Sequence, residues 1–349
     1  MKKILFRADG NHKIGAGHIM RCLSIAEAAK ELGYQCVFFV SDASFMNTIL
    51  QRGFDCTVLN TCYDKMDDEY DTLLPLMEQY HPDYIIIDSY YVTEPYLEQM
   101  RHYGVTMYVD DLAAFAYPVD VLLNYNIYAK DMGYIDLYQR ANTKLPKLIL
   151  GTHFIPLRKE FQSLTFRVPN REVSNIFVSA GGADPERVAI KLIKFLQSHR
   201  EFVEEYNYHF VIGAFEADVE EIRSIAVKES WLHLHQNVKN MSSVMRQCDM
   251  AISAAGSTLY ELCACGIPTI TYVLADNQIS GEKAFVKEGI MLSAGDCRYN
   301  LDFEKSLFTM VKTLGNDYEL RCRLAVESYE TVSKNGAHNI IKEIVLPYN

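Results

Sequence analysis

The sequence predicts an α/β protein of two successive doubly wound, Rossmann-like domains facing each other across a cleft. The chain has 349 residues, 49% of them hydrophobic and 23% charged, a length that suits two cores better than one. Its apolar runs are short and continuous, the pattern of strands covered on both faces. They alternate with amphipathic helical stretches, and the alternation occurs twice in halves of similar size. Ligands of such folds bind at strand carboxyl ends and in the cleft.

In the first half the expected strands are Lys3-Phe6, Gln35-Val40, Tyr84-Ile87, Thr106-Val109 and Val121-Leu123. The clearest helix follows the first strand: Met20, Leu23, Ile25, Ala26, Ala29 and Leu32 lie on or near one face, and Gly33 stands where a C-cap glycine belongs. The first domain is read as 1–162. Residues 163–173 are read as a linker, because the stretch around them is polar, contains Pro169 and Asn170, and lacks periodicity. The second domain, 174–334, has expected strands Asn175-Ser179, Tyr208-Ile212, Met250-Ser253, Thr269-Val273 and Ile290-Leu292, and from about Asp302 the tail reads as helical.

Composition excludes several function classes. The apolar run at the start, Ile4 to Phe6, is broken by Arg7 and Asp9, so it reads as a strand and not as a signal peptide. No stretch approaches the roughly 20 apolar residues of a membrane span. Nine scattered cysteines without metal-ligand spacing predict buried free thiols in a reducing cytoplasm. A net charge of -11 argues against a nucleic-acid partner. A small anion remains allowed, held by local dipoles and hydrogen bonds.

The first strand leads into Asp9-Gly10-Asn11-His12-Lys13-Ile14-Gly15-Ala16-Gly17-His18 and then the helix. Gly15 and Gly17 permit close backbone approach, and the helix N-terminus offers free N–H groups to negative charge. Met20 stands where a dinucleotide fingerprint needs glycine, and no P-loop lysine is present. His18 is the leading candidate for a general base, since an imidazole of pKa about 6.5 accepts a proton from water at neutral pH; its plain alternative is a capping or core histidine. Arg21 suits an anionic ligand or a structural pair with Asp9. Asp88, with Tyr90 two residues on, and Asp110 end successive strands, and either carboxylate suits orienting His18, binding hydroxyls, or capping a loop. Asn124 and Asn126 suit acetamido or hydroxyl groups, or a turn.

In the second half Ser179-Ala180-Gly181-Gly182-Ala183-Asp184-Pro185 reads as strand, glycine turn and helix start, a candidate phosphate cradle. Ser253-Ala254-Ala255-Gly256-Ser257-Thr258-Leu259-Tyr260-Glu261 repeats that layout: Gly256 and Ser257 for a diphosphate, Glu261 for ribose hydroxyls. Asn277 and Gln278 follow the next strand, as nucleotide contacts or helix caps.

This second-half pattern, completed by Gly266-Ile267-Pro268, resembles the UDP-binding half of the peptidoglycan glucosaminyl transferase and other glycosyltransferase-B-type proteins. Adding Arg7-x-Asp9, Ile14-Gly15-x-Gly17-His18, Ile87-Asp88-x-Tyr90, Asp110-Asp111, Asn124-x-Asn126, Gly151 and Arg158-x-Glu160-Phe161, the chain resembles the UDP-2,4-diacetamido-2,4,6-trideoxy-altrose hydrolases of pseudaminic acid synthesis. The resemblance implies a glycosyltransferase-B-type fold, with residues 335–349 as a C-terminal helix returning to the first domain. It implies that His18 activates water for attack on the anomeric carbon with inversion, and that Gly256, Ser257 and Glu261 contact nucleotide, with Tyr90 near the sugar. Asp9, Gly15, Gly17, Arg21, Asp88, Asn126 and Arg158 are the further candidates for substrate binding, and Gly181, Gly182, Asn277 and Gln278 for nucleotide binding. Neither metal nor cofactor is implied. The expected partner is a UDP-sugar, the expected state a monomer, and the product's destination by analogy is flagellin or a surface polysaccharide. Helix N-termini at Gly181-Gly182 and Gly256-Ser257 are expected to stabilise the charge left on UDP. A transferase of the same fold, with an acceptor hydroxyl in place of water, is the alternative.

Overall fold

The computed structural model describes residues 1–346 apart from Ala183 and residues 214–216. The chain divides into two compact units: Met1–Arg158 together with the chain from Asn335 onward, and Lys159–Lys334.

The first unit runs β1 (Lys3–Ala8), α1 (Gly17–Glu31), β2 (Gln35–Val40), α2 (Met46–Gln51), β3 (Asp55–Val58), α3 (Tyr70–Tyr80), β4 (Tyr84–Asp88), α4 (Glu94–Met100), β5 (Val105–Val109), β6 (Val121–Asn124), α5 (Tyr134–Ala141) and β7 (Lys147–Leu150). Its seven strands are parallel, in the order β3-β2-β1-β4-β5-β6-β7. Central strands such as β4, Tyr-Ile-Ile-Ile-Asp, are buried at every position, as helices on both faces of a parallel sheet require. Gly33 follows α1 at φ +87°, a conformation that favours glycine, and Tyr34 N–H closes back on Ala29 O at 3.0 Å.

The carboxyl end of β1 is polar inside. Arg7 is fully buried, with Nη1 on Asp9 at 2.6 Å and Nε and Nη2 on Glu69 at 2.9 and 2.7 Å. Asp9 also accepts Ser41 N–H at 2.6 Å, which ties the ends of β1 and β2 together.

The second unit runs α6 (Lys159–Gln162), β8 (Asn175–Ser179), α7 (Val188–Ser198), β9 (Asn207–Ile212), α8 (Val219–Ala226), β10 (Leu232–Gln236), α9 (Met241–Met245), β11 (Met250–Ala254), α10 (Thr258–Cys265), β12 (Thr269–Val273), α11 (Ile279–Lys287), β13 (Leu292–Asp296), α12 (Phe303–Asn316) and α13 (Tyr318–Thr331). Its parallel sheet has the order β10-β9-β8-β11-β12-β13. The first strand of each unit therefore neighbours both the second and the fourth, the reversal that creates a binding crevice at strand carboxyl ends.

Two boundaries differ from the sequence reading. The stretch read as a linker is pinned to the second unit: Arg167 donates to Arg246 O and Cys248 O at 2.6 and 3.0 Å, and the buried Arg321 donates to Asn170 O and Arg171 O at 3.0 and 2.6 Å. The last strand begins at Leu292, not Ile290, and Ile290 and Met291 are the buried approach to it.

The final helix, α14 (Gly336–Val345), is part of the first unit and packs on α1. Residues 347–349 of the segment read as C-terminal helix lie outside the described residues. A Cβ on Gly336 would stand 2.1 Å from Ile155 O, so only glycine permits this approach. All nine cysteines are free; Cys62 is exposed, contrary to the expected burial.

Candidate active site

The loop between β1 and α1 closes on itself before the helix. Asn11 and Gly15 pair as an isolated bridge, Asn11 Oδ1 accepts the N–H groups of Lys13 and Ile14, and Gly15 stands at φ +74°. α1 then starts with no side-chain cap, so its first N–H groups open at the carboxyl end of the sheet. His18 lies in that first turn and Arg21 three residues on, a spacing that puts both on one helix face.

Both reach Asp88, the last residue of β4. His18 Nδ1 lies 2.6 Å from Asp88 Oδ1. Arg21 donates from Nε to Oδ2 and from Nη2 to Oδ1, and from Nη1 to the Tyr125 hydroxyl at 2.7 Å. The Cys22 thiol lies 3.6 Å from Oδ2. Burial opposes ionisation of Asp88, but Arg21 and then His18 override it and hold the carboxyl well below the usual range. Burial likewise opposes the Arg21 cation, and Asp88 more than offsets it.

An ionised carboxylate only accepts, so the contact with Asp88 calls for a proton on Nδ1, and in the neutral ring the lone pair is then on Nε2. The edge-on ring of Tyr90, centred 4.8 Å away, borders the imidazole, and its hydroxyl donates to Asp111 at 2.9 Å. Burial raises the Asp111 carboxyl, and its Oδ1 has no hydrogen-bond partner among the described residues. An imidazole whose Nδ1 is oriented by a buried carboxylate can, when neutral, accept a proton at Nε2.

Of the two carboxylates open to orienting His18, the structure uses Asp88. Asp110 is occupied by the hydroxyls of Tyr117 and Tyr134, at 2.8 and 2.6 Å, and by the N–H groups of Leu112 and Ala113. Asp9 is held by Arg7 and Ser41 N–H, so it braces the loop, and Arg21 pairs with Asp88 and not with Asp9. The Asn126 amide donates to Asn124 Oδ1 at 3.0 Å, so this pair at least builds its own turn. Arg158 is half-buried where the chain leaves the first unit. The sequence reading missed Tyr125, Cys22 and Asp111 as members of the cluster. For Tyr125 and Asp111 the available signal was their place just past β6 and β5.

In the second unit the two glycine turns differ. The N–H groups of Val188 and Ala189, which open α7, are taken at 2.9 and 2.8 Å by the buried carboxylate of Asp184. The expectation that the Gly181-Gly182 helix N-terminus stabilises a phosphate is therefore corrected: α7 begins later, and its positive end already faces an anion. Gly181 and Gly182 are exposed, and Ala183 of this motif lies outside the described residues. α10 begins at Thr258 after Ser257 with no side-chain cap. Gly256 is half-buried and Ser257 exposed, and Glu261 is in the first turn. Gln278 Oε1 accepts Leu274 N–H at 2.9 Å, bracing the end of β12, and Asn277 beside it is exposed. Among the described residues no three His, Cys, Asp or Glu side chains are grouped to hold a metal ion, and no helix is long and apolar enough to cross a membrane.

Residues 176–344 match the glycosyltransferase family 28 C-terminal domain. The UDP-2,4-diacetamido-2,4,6-trideoxy-beta-L-altropyranose hydrolase of Campylobacter jejuni is 23% identical over 82% of this chain and 97% of its own length. A Helicobacter pylori protein, named as pseudaminic acid cytidylyltransferase and the same hydrolase, is 22% identical over 92% of this chain. The chain is similar to both hydrolases over more than four-fifths of its length. It is also 27% identical over 80% of its length to the uncharacterized protein MJ1062 of Methanocaldococcus jannaschii. It spans 57% of that archaeal protein and 50% of the Helicobacter one. Among solved structures, Acinetobacter baumannii MurG superposes with TM-score 0.67 at 14% identity, covering 98% of this chain and 99% of that one. The fold is thus of the glycosyltransferase-B type, as the resemblance implies, with the two doubly wound sheets that the sequence pattern predicts.

Proposed function

We propose that this chain hydrolyses UDP-2,4-diacetamido-2,4,6-trideoxy-beta-L-altropyranose to UDP and the free sugar in the cytoplasm, without a metal, as a step of pseudaminic acid biosynthesis. The observation that carries the reading is His18, whose Nδ1 lies 2.6 Å from Asp88 Oδ1, a contact that leaves Nε2 of the neutral ring to accept a proton. The two relatives named as this hydrolase support the substrate. Nine free cysteines support a reducing compartment.

In this reading a water gives a proton to His18 Nε2 as its oxygen bonds to the anomeric carbon. The anomeric C–O bond to UDP breaks on the opposite face, its electron pair goes to the diphosphate, and the sugar is released inverted. Asp88 stabilises the imidazolium through Nδ1–H. The first unit supplies the base and the sugar contacts, with Tyr90 bordering it. The proposed nucleotide contacts are Gly256, Ser257, Glu261, Asn277 and Gln278, with Gly181 and Gly182 as exposed loop backbone and not as a helix N-terminus, and the uncapped α10 is proposed to face the developing charge.

A transferase is the second reading, favoured by the match of the second unit to a glycosyltransferase domain. Proton NMR of the UDP-sugar with the purified protein, without acceptor or metal, separates the two. Free inverted sugar appearing with UDP supports the hydrolase. An unchanged substrate, with a known hydrolase as control, refutes it.

A further inference from the structure

Arg21 is read from the sequence as a holder of an anionic ligand or a structural partner of Asp9, and its fork is turned inward on Asp88. Nε and Nη2 grip both oxygens of Asp88, Nη1 donates to the Tyr125 hydroxyl at 2.7 Å, and the guanidinium carbon lies 5.6 Å from the Tyr125 ring centre. The bidentate fork is Arg's most directional contact, and here it is spent within the protein. The side chain is 15% exposed.

The groups around His18 come from several elements: Arg21 from α1, Asp88 from β4, Tyr90 just after it, Tyr125 after β6, and Asp111 after β5 by way of Tyr90. Arg21 Nη2 and His18 Nδ1 stand 2.8 Å apart, and both are directed at Asp88 Oδ1. Two donors cannot bond to each other, so one oxygen serves both, and a turn of the Asp88 carboxylate moves the imidazole with it. Without Arg21, Asp88 keeps the His18 Nδ1–H and Cys22 thiol contacts but loses the fork that clamps its carboxylate plane, so the orientation it imposes on the imidazole loosens.

We propose that Arg21 is a positioning residue of the His18 site: anchored by Tyr125, it holds Asp88 so that His18 keeps its Nδ1–H tautomer, and it does not bind the phosphates of the substrate. This rests on the reading of His18 as the base of a UDP-sugar hydrolase.

The test uses the full chain with Arg21→Gln, Arg21→Lys and Tyr125→Phe, measured in two ways. In steady-state hydrolysis of the UDP-sugar, Arg21→Gln is expected to lower kcat about 10- to 100-fold, the usual loss for a group that orients a functional side chain. KM and UDP affinity by calorimetry are expected to stay within about threefold, and Arg21→Lys is expected to recover part of kcat. A KM raised about tenfold or more with kcat retained marks a substrate-binding arginine and overturns the proposal. Nitrogen-15 NMR of histidine-labelled protein reads the tautomer without any turnover. His18 is expected to carry its proton on Nδ1 in the wild type and to shift toward Nε2–H in Arg21→Gln; the same tautomer in both overturns the proposal. Should the Arg21 variants not fold, Tyr125→Phe, which keeps both Asp88 contacts, carries the test. It is expected to lose kcat about 3- to 10-fold at unchanged KM, the worth of one hydrogen bond, with a mixed His18 tautomer. Unchanged kcat and tautomer overturn the proposal. If the wild type releases no UDP, the hydrolase reading fails, and the nitrogen shifts still decide the role of Arg21.

Discussion

Replacing His18 by alanine removes the Nε2 lone pair and one hydrogen bond, and the structure separates the consequences. Asp88 loses the Nδ1–H donor at 2.6 Å but keeps both bonds from Arg21 and the Cys22 thiol contact. Its charge therefore stays compensated, and the stability loss should not exceed about 1.5–3 kcal/mol, the range for one bond to a charged group. The first unit should remain folded. Turnover behaves differently, because the substitution removes the proposed base itself. General-base assistance is worth about 10²- to 10⁴-fold, so kcat should fall by that factor, about 3–5 kcal/mol in the barrier. The residues assigned to nucleotide lie in the second unit, so UDP affinity should not change. The assay pairs NMR-monitored UDP-sugar hydrolysis with UDP calorimetry on the same preparation. A UDP affinity that falls in parallel with turnover, or turnover above a tenth of wild type, would refute His18 as the base.

Three further outcomes are expected. Asp184→Ala uncovers the N–H groups of Val188 and Ala189, so thermal unfolding should show a loss of about 1–2 kcal/mol; UDP affinity should hold or improve, and a sharp fall in it would restore α7 to the phosphate site. Gly336→Ala forces a Cβ to 2.1 Å from Ile155 O. The cost of about 3 kcal/mol should lower Tm by about 6–12 °C, and an unchanged Tm would show that α14 does not dock as described. His209 is pushed down to about 4 by burial and then by His233 and His235. The folded state thus binds fewer protons than the unfolded one between the ordinary imidazole value of 6.5 and about 4. Its contribution to stability is present above the ordinary value and is lost as pH falls through that window. The Tm of wild type should drop across it more steeply than that of His209→Gln, and parallel curves would exclude the effect.

The central strands were legible because burial on both faces leaves an uninterrupted apolar run, as in Tyr84–Ile87 and Val121–Leu123. The strands that escaped notice, β3, β7 and β10, all lie at sheet edges, where the side chains are only partly buried and the run is mixed. His18 was legible for a local reason: a glycine-bearing loop between a strand and a helix states its place in the fold. Its partner was not. Asp88 and Asp110 both end buried strands, and the difference lies with residues distant in sequence. Arg21 and His18 claim one, and Tyr117 and Tyr134 the other.

The two glycine turns of the second unit differ by a signal that is local in the sequence. Both follow a buried strand, and glycine content alone makes them equivalent. The first contains Asp184 just ahead of its helix, and a short acidic side chain at that place is a capping residue before it is anything else. With Asp184 and Arg187 at positive φ, the helix is delayed to Val188 and its first N–H groups fall to the aspartate. The second turn, Ala254 to Thr258, carries no acid, and α10 starts uncapped. One carboxylate thus sets the two N-termini apart. A diphosphate brought to α7 would meet the Asp184 charge, whereas α10 begins with no capping bond from the Ser257 side chain and no acid ahead of it in the turn.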